Sequence, residues 1–215
     1  MKTLLIILAL FSLSYSPHHR AKNNIPINYV YIRVFKYEKE LEVWIRNSVS
    51  AEYTLYKIYP ICRLSGILGP KRGEGDLQVP EGFYYINDFN PNSKYHLSLG
   101  ISYPNQSDKT LSSYKNLGGS IYIHGNCVSV GCVAIGDKAI EELYSLCKST
   151  HNDIPVHIFP IRFNSLNAMG TLRSKIKDEN IMSLEENIKE GYDYFEEYKY
   201  PPQVLFNVNG YYIFL

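Results

Sequence analysis

The chain has almost no excess of charge of either sign: 22 Lys and Arg stand against 21 Asp and Glu, a formal net charge of +1. A general nucleic-acid binder carries a basic excess, so no nucleic-acid partner is expected. A phosphate-cradling P-loop is also missing. The Gly-rich stretch Leu68–Asp76 lacks the Gly-Lys-Ser/Thr ending, and its Lys71, Arg72, Glu74 and Asp76 nearly cancel, so it reads as a mobile surface turn. No apolar run is long enough to cross a bilayer comfortably. The longest, Leu4–Leu13, follows Lys2 and contains or abuts Ser12 and Ser14, the pattern of a secretory signal over residues 1–14. Such a signal takes the mature chain out of the cytoplasm. There is no internal repeat and no low-complexity tract. Cysteine is scarce, at four residues, and none lies beside the signal in a lipoprotein arrangement. No Cys/His set has zinc-ligand spacing, because His124, Cys127 and Cys132 crowd one short loop. Neither a metal nor any other cofactor is expected.

What remains is a folded protein rich in tyrosine. Hydrophobic residues make up 45%, charged residues 20%, and the 215 residues suffice for one sizeable core and a small appendage. The 20 tyrosines suit strands. Tyr29–Phe35 and Glu40–Ile45 flank Lys36–Lys39 as a β-hairpin, and Glu52–Cys62, Phe83–Ile86, Tyr95–Ile101 and Pro155–Ile161 read as further strands. Tyr103–Asp108 reads as a turn and Thr110–Gly119 as a polar loop. Asp137 is placed to cap a helix in which Ile140, Leu143, Tyr144 and Cys147 share one apolar face, so Cys147 belongs to the core. From Asn164 the character turns helical. Ser183 and Glu186 make a capping-box pattern. Leu184, Ile188, Tyr192 and Phe195 form a stripe that Pro201-Pro202 ends. Asn209-Gly210, between two apolar runs, predicts a closing hairpin. The expected fold class is mainly β with a few helices, organised as a core over residues 15–163 and a C-terminal helix-and-hairpin extension over 164–215.

Chemistry concentrates in Ser120–Ile135. Ser120–Ile123 alternates as a strand and delivers His124 to its end; Gly125 and a short loop lead to Ser129-Val130-Gly131-Cys132. A thiol nucleophile needs a base within reach and backbone N–H groups aimed at the oxygen that becomes negative during attack. Cys132 is therefore read as nucleophile and His124 as its proton acceptor. Gly131 lets the chain turn and exposes the N–H groups beside Cys132, while Ser129 and Gly125 shape the loop. His96 is a candidate second active-site histidine, lining the groove; His157 is read as structural. With Cys132 free, Cys62, Cys127 and Cys147 allow at most one bridge, and a Cys127–Cys132 bridge would silence the site.

His124-Gly125 followed by Ser129-Val130-Gly131-Cys132 resembles the signature of the L,D-transpeptidase (YkuD) catalytic domain, in its YafK-like branch. Supporting stretches are Val79–Ile86, Asn90–Leu99, Tyr103–Asn105 and Ile154–Pro160. The chain departs from the broader pattern in having Val130 before Gly131 where that pattern has His, and Val133-Ala134 where it has Arg. The resemblance implies a β-sandwich catalytic domain and a cysteine acyl-enzyme acting on peptidoglycan stem peptides in the periplasm, by transpeptidation or by hydrolysis. Detachment of a wall-anchored lipoprotein is one implied activity, and His96 and Tyr103 are implied as substrate-binding candidates. The alternative from another class is a non-catalytic envelope scaffold that binds peptidoglycan.

Overall fold

The computed structural model describes residues 29–150 and 152–215; the signal segment read over residues 1–14 lies outside them. Strands β1 (Tyr29–Phe35), β2 (Glu40–Arg46) and β3 (Thr54–Pro60) form an antiparallel meander. The first hairpin pairs Phe35 with Glu40, as the alternation of the two runs predicts. Then come β4 (Gly82–Ser93), β5 (His96–Ile101), β6 (Tyr122–His124), β7 (Val133–Ala134) and β8 (Pro155–Phe159). All eight strands join one mixed sheet in the order β3-β2-β1-β8-β4-β5-β6-β7. β8 inserts between β1 and β4, parallel to the former and antiparallel to the latter, and β6 pairs with β7 in parallel.

Period-two alternation gives the sheet two different faces. On one, Val30, Ile32 and Val34 of β1 share an aliphatic core with Leu99, Ile123 and Val133, closed by α2 (Asp137–Lys148) through Ile140, Leu143, Tyr144 and Cys147. On the other, Phe35, Phe83 and Phe159 meet Leu184, Ile188 and Tyr192 of α4 (Glu179–Tyr198), together with α3 (Ala168–Lys175) and the two-stranded hairpin of β9 (Val204–Phe206) and β10 (Tyr212–Phe214). Residues 164–215 are thus built into the second face of the sheet. Arg33 lies among these rings, 1% exposed, with its guanidinium carbon 4.6 Å from the Tyr192 ring centre and 5.0 Å from that of Phe195. Its charge is met by Glu196 at 2.7 Å and Glu42 at 3.5 Å, as a buried cation requires. No helix among the described residues is long and apolar enough to cross a membrane.

Four local readings are corrected. α4 begins at Glu179, with Asp178 as its cap accepting from the backbone N–H of Asn180 and Ile181. Ser183 lies inside the helix and donates to Glu179 O, because the apolar face already starts at Met182. α2 is capped by Gly136, and the Asp137 carboxylate reaches out of the helix instead. The segment read as a turn, Tyr103–Asp108, runs into a short helix α1 (Gln106–Leu111), where Asn105 and Asp108 cap each other reciprocally. The stretch Leu68–Asp76 is not an open surface turn: Lys71 is 5% exposed, and the Asp76 carboxylate accepts from Lys71 Nζ and from the N–H groups of Arg72, Gly73 and Gln78. Four donors on one carboxylate close this loop from within.

Candidate active site

The far edge of the sheet carries His124 and leads into Cys132. β5 holds β6 in antiparallel register, Ser98 opposite His124, and β7 lies parallel with Ala134 beside His124 and Val133 beside Ile123. Cys132 therefore enters at the head of β7, two steps along the ladder from His124. The loop between them is tied down from three sides. Asp137, at the start of α2, accepts from Asn126 N at 2.6 Å. Ser129 Oγ accepts from Cys132 N and donates to Cys132 O. Cys127 is bonded to Cys62, with their Cα atoms 5.6 Å apart. The bridge thus falls within the three cysteines left once Cys132 is free; Cys132 and buried Cys147 remain thiols.

Two glycines are dictated by this packing. Gly131 adopts φ +84°, a left-handed conformation that disfavours a side chain. At Gly125 a Cβ would stand 2.7 Å from both Tyr95 O and Asp137 Oδ1, so the loop has no room for one.

His124 is 1% exposed, and its Nδ1 lies 2.6 Å from Gly125 O. A carbonyl only accepts, so Nδ1 carries the proton and Nε2 holds the free lone pair. Burial lowers the imidazole pKa, against a smaller opposing effect of that hydrogen bond. Burial likewise raises the Cys132 thiol above 9.0, with the Tyr122 backbone and the charge of Lys71 pulling the other way. The resting pair is therefore neutral thiol and neutral imidazole. The thiol's hydrogen bond goes to Ser120 O at 3.6 Å rather than to His124. Catalytic contacts of this kind commonly tighten only when substrate is bound. The N–H groups of Gly131 and Cys132 are also engaged, Gly131 N with Ser65 Oγ at 2.6 Å and Cys132 N with Ser129 Oγ at 3.1 Å.

Of the other candidates, His96 begins β5 with φ +76° and turns to α2, where Nε2 lies 2.7 Å from Glu141 Oε1. Its neighbour Tyr95 is the residue at the imidazole, its ring 4.6 Å from that of His124 and tilted by 30°. Tyr103 is buried and donates to Leu117 O. His157 is buried with Nδ1 2.8 Å from Tyr31 OH, a core histidine as expected. Beside Cys132 opens a small cleft of about 140 Å³, its walls including Lys71, Gly119, Ser120, Val130 and Gly131. Among the described residues no group of three or more His, Cys, Asp or Glu is placed to hold a metal ion.

Comparison with known proteins decides the family. The pattern of the YkuD L,D-transpeptidase catalytic domain matches residues 30–158, from β1 to β8. The chain belongs to this family. It is 36% identical over 190 residues to YafK of Escherichia coli strain K12, a protein named as a candidate L,D-transpeptidase, covering 86% of this chain and 73% of that one. The fold is similar to that of the helical cell shape determining protein Pgp2 of Campylobacter jejuni. The TM-score is 0.51 at 20% identity, over 87% of this chain and 77% of Pgp2. Against a mutant of Pgp2 the TM-score is 0.53 at 23% identity, with 80% of this chain aligned and 59% of that chain spanned. The family match thus spans both His124 and Cys132, and the mainly β fold expected from the sequence is the one observed.

Proposed function

We propose that the protein is a cysteine acyl-enzyme acting on peptidoglycan stem peptides outside the cytoplasm, in the periplasm. The observation that carries this reading is the placement on one sheet edge, two ladder steps apart, of a free thiol beside a cleft and a buried imidazole whose Nδ1 is pinned to Gly125 O. Pinning Nδ1 leaves Nε2 as the base. In this reading the thiol leaves Ser120 O for Nε2 when it reacts.

In the first step His124 Nε2 takes the thiol proton as Sγ attacks the peptide carbonyl. The negative oxygen of the tetrahedral intermediate recruits the Gly131 N–H by displacing the Ser65 hydroxyl. Collapse breaks the C–N bond, the amine leaves with the proton from His124, and a thioester remains on Cys132. An amine acceptor then gives a new amide, which is transpeptidation; water gives hydrolysis. Release of a lipoprotein attached to the wall is the hydrolytic form of the same chemistry.

The test compares muropeptides released from sacculi, with bound protein retained, after treatment with wild type or Cys132→Ala. New cross-linked or exchanged species only with wild type mean transfer. Lost cross-links or released protein mean hydrolysis. Identical samples would sink the assignment to peptidoglycan.

A further inference from the structure

Lys71 is a buried cation that shares its anion, Asp76, with three backbone donors. Its ammonium donates to Gly73 O and Asp76 Oδ1, each at 2.7 Å. Asp76 is held as well by the N–H groups of Arg72, Gly73 and Gln78, so Lys71 is one of four donors on that carboxylate. Burying an ammonium is costly unless it is paired and hydrogen-bonded; Asp76 and Gly73 O meet that need and hold the cation on the wall of the cleft. Lys71 lines the small cleft together with Ser120, whose carbonyl receives the Cys132 thiol, and with Gly131, the residue before it. The other charged group on that cleft is Glu74, which accepts from Asn116 Nδ2. The remaining titratable neighbour, His124, is neutral at rest. Both N–H groups flanking the nucleophile are engaged by hydroxyls. Lys71 is thus the one cation lining the cleft.

We propose that Lys71 is an electrostatic positioning residue of the nucleophile: its fixed positive charge, held at the cleft by Gly73 O and Asp76, stabilises the negative charge that forms at Cys132 Sγ. The charge of Lys71 opposes the effect of burial on the Cys132 thiol, in the direction this role requires. From a side chain as buried as Lys71 such a field is screened less than it is between exposed charges. The inference rests on the reading of Cys132 as nucleophile, but its test needs no peptidoglycan.

The experiment is the pH profile of Cys132 alkylation by iodoacetamide, followed by mass spectrometry, with fold checked by near-UV circular dichroism. Lys71→Met moves the midpoint to higher pH by about one unit, so that labelling on the acid side slows about tenfold. Lys71→Arg restores the wild-type profile in large part. Asp76→Asn separates charge from loop integrity: it removes the countercharge and leaves Lys71, so its midpoint moves to lower pH. If Lys71→Met does not fold, Lys71→Gln, which keeps a donor for Gly73 O, takes its place with the same expected shift. A folded Lys71→Met or Lys71→Gln that superimposes on wild type overturns the proposal. So does Asp76→Asn shifting in the same direction as Lys71→Met, because the effect would then be loop collapse. A wild type inert on peptidoglycan whose alkylation profile still shifts on Lys71→Met would count against the substrate assignment and not against Lys71.

Discussion

The centre of this sheet and its far edge are held by opposite means. At β1, β8 and β4 the second face is an apolar, aromatic contact: Phe35, Phe83 and Phe159 lie against Tyr192, Tyr212 and Ile188, and Phe195 packs on Tyr31 and Trp44. At β5, β6 and β7 the strands are two to six residues long, and the loops around Cys132 are fastened by directional polar bonds, by Asp137, Ser129, Ser65 and Asp76, and by one disulfide. Apolar burial is tolerant of small shifts and supplies stability. Hydrogen bonds fix angles and supply geometry. The polar edge should therefore carry activity with little stability, and the aromatic face the reverse.

The sharpest break of that contrast is His124→Ala. Loss of a general base typically costs about 10²–10⁴ in rate, so acyl-enzyme formation on Cys132, followed by intact-protein mass spectrometry, should fall by that order. In the wild type the acid limb should lie below the ordinary imidazole value of 6.5, because burial lowers the His124 pKa and keeps the base neutral further into acid. An acid limb at or above 6.5 would show that some other group is the base.

On the aromatic face, Phe195→Ala removes a ring that is 0% exposed and touches Tyr31, Tyr53 and Trp44. The expected loss is about 3–5 kcal/mol in urea unfolding, with the alkylation rate of Cys132 unchanged in the folded fraction. A large rate change with little loss of stability would erase the distinction between the two regions.

The bridge belongs to the polar edge but contributes to stability. Cys62→Ser with Cys127→Ser opens a closure spanning 65 positions in sequence. A cost of about 2–4 kcal/mol is expected from the freed unfolded chain. Slower Cys132 alkylation is expected too, since Cys127 lies in the loop between His124 and Cys132. Thermal melting and alkylation on the same samples measure both; an unchanged melt would place the bridge outside the folding unit.

What was legible in the sequence follows the same division. Strands β1 and β2, the buried face of α2 and the stripe of α4 repeat with the period of their own backbone, so side-chain pattern alone reveals them. His124 and Cys132 were legible because a glycine-rich turn separates them. Lys71 was not: in sequence its charge nearly cancels against Glu74 and Asp76, and only the folded loop removes it from water. Tyr95 was missed for a related reason. It sits in the β4–β5 turn, ahead of β5, where the positive φ at His96 ends the extended run that the sequence suggests over Tyr95–Ile101. The partner of Cys127 lies across the sheet edge, and no local pattern encodes it.

The smallest expected effect joins the two regions. Glu185 of α4 is 0% exposed and faces Glu81, which binds Lys36 Nζ at 2.7 Å and accepts from Gly69 N in the loop leading to Lys71. Burial first, then the Glu81 charge, holds the Glu185 carboxyl well above 4.5, with Lys36 and Arg72 opposing. It is neutral in the fold, and its proton is the donor that Glu81 Oε2 otherwise lacks. A folded pKa above the unfolded one means that this contribution is complete below about 4.5 and is lost as pH rises toward the raised value. Glu185→Gln keeps an N–H donor toward Glu81 and cannot ionise. Its stability should therefore match wild type in acid and exceed it by a growing margin as pH rises. Urea unfolding across that range measures the margin. Parallel profiles would mean that Glu185 ionises at no cost, and that the aromatic face and the catalytic edge are not joined through this carboxyl pair.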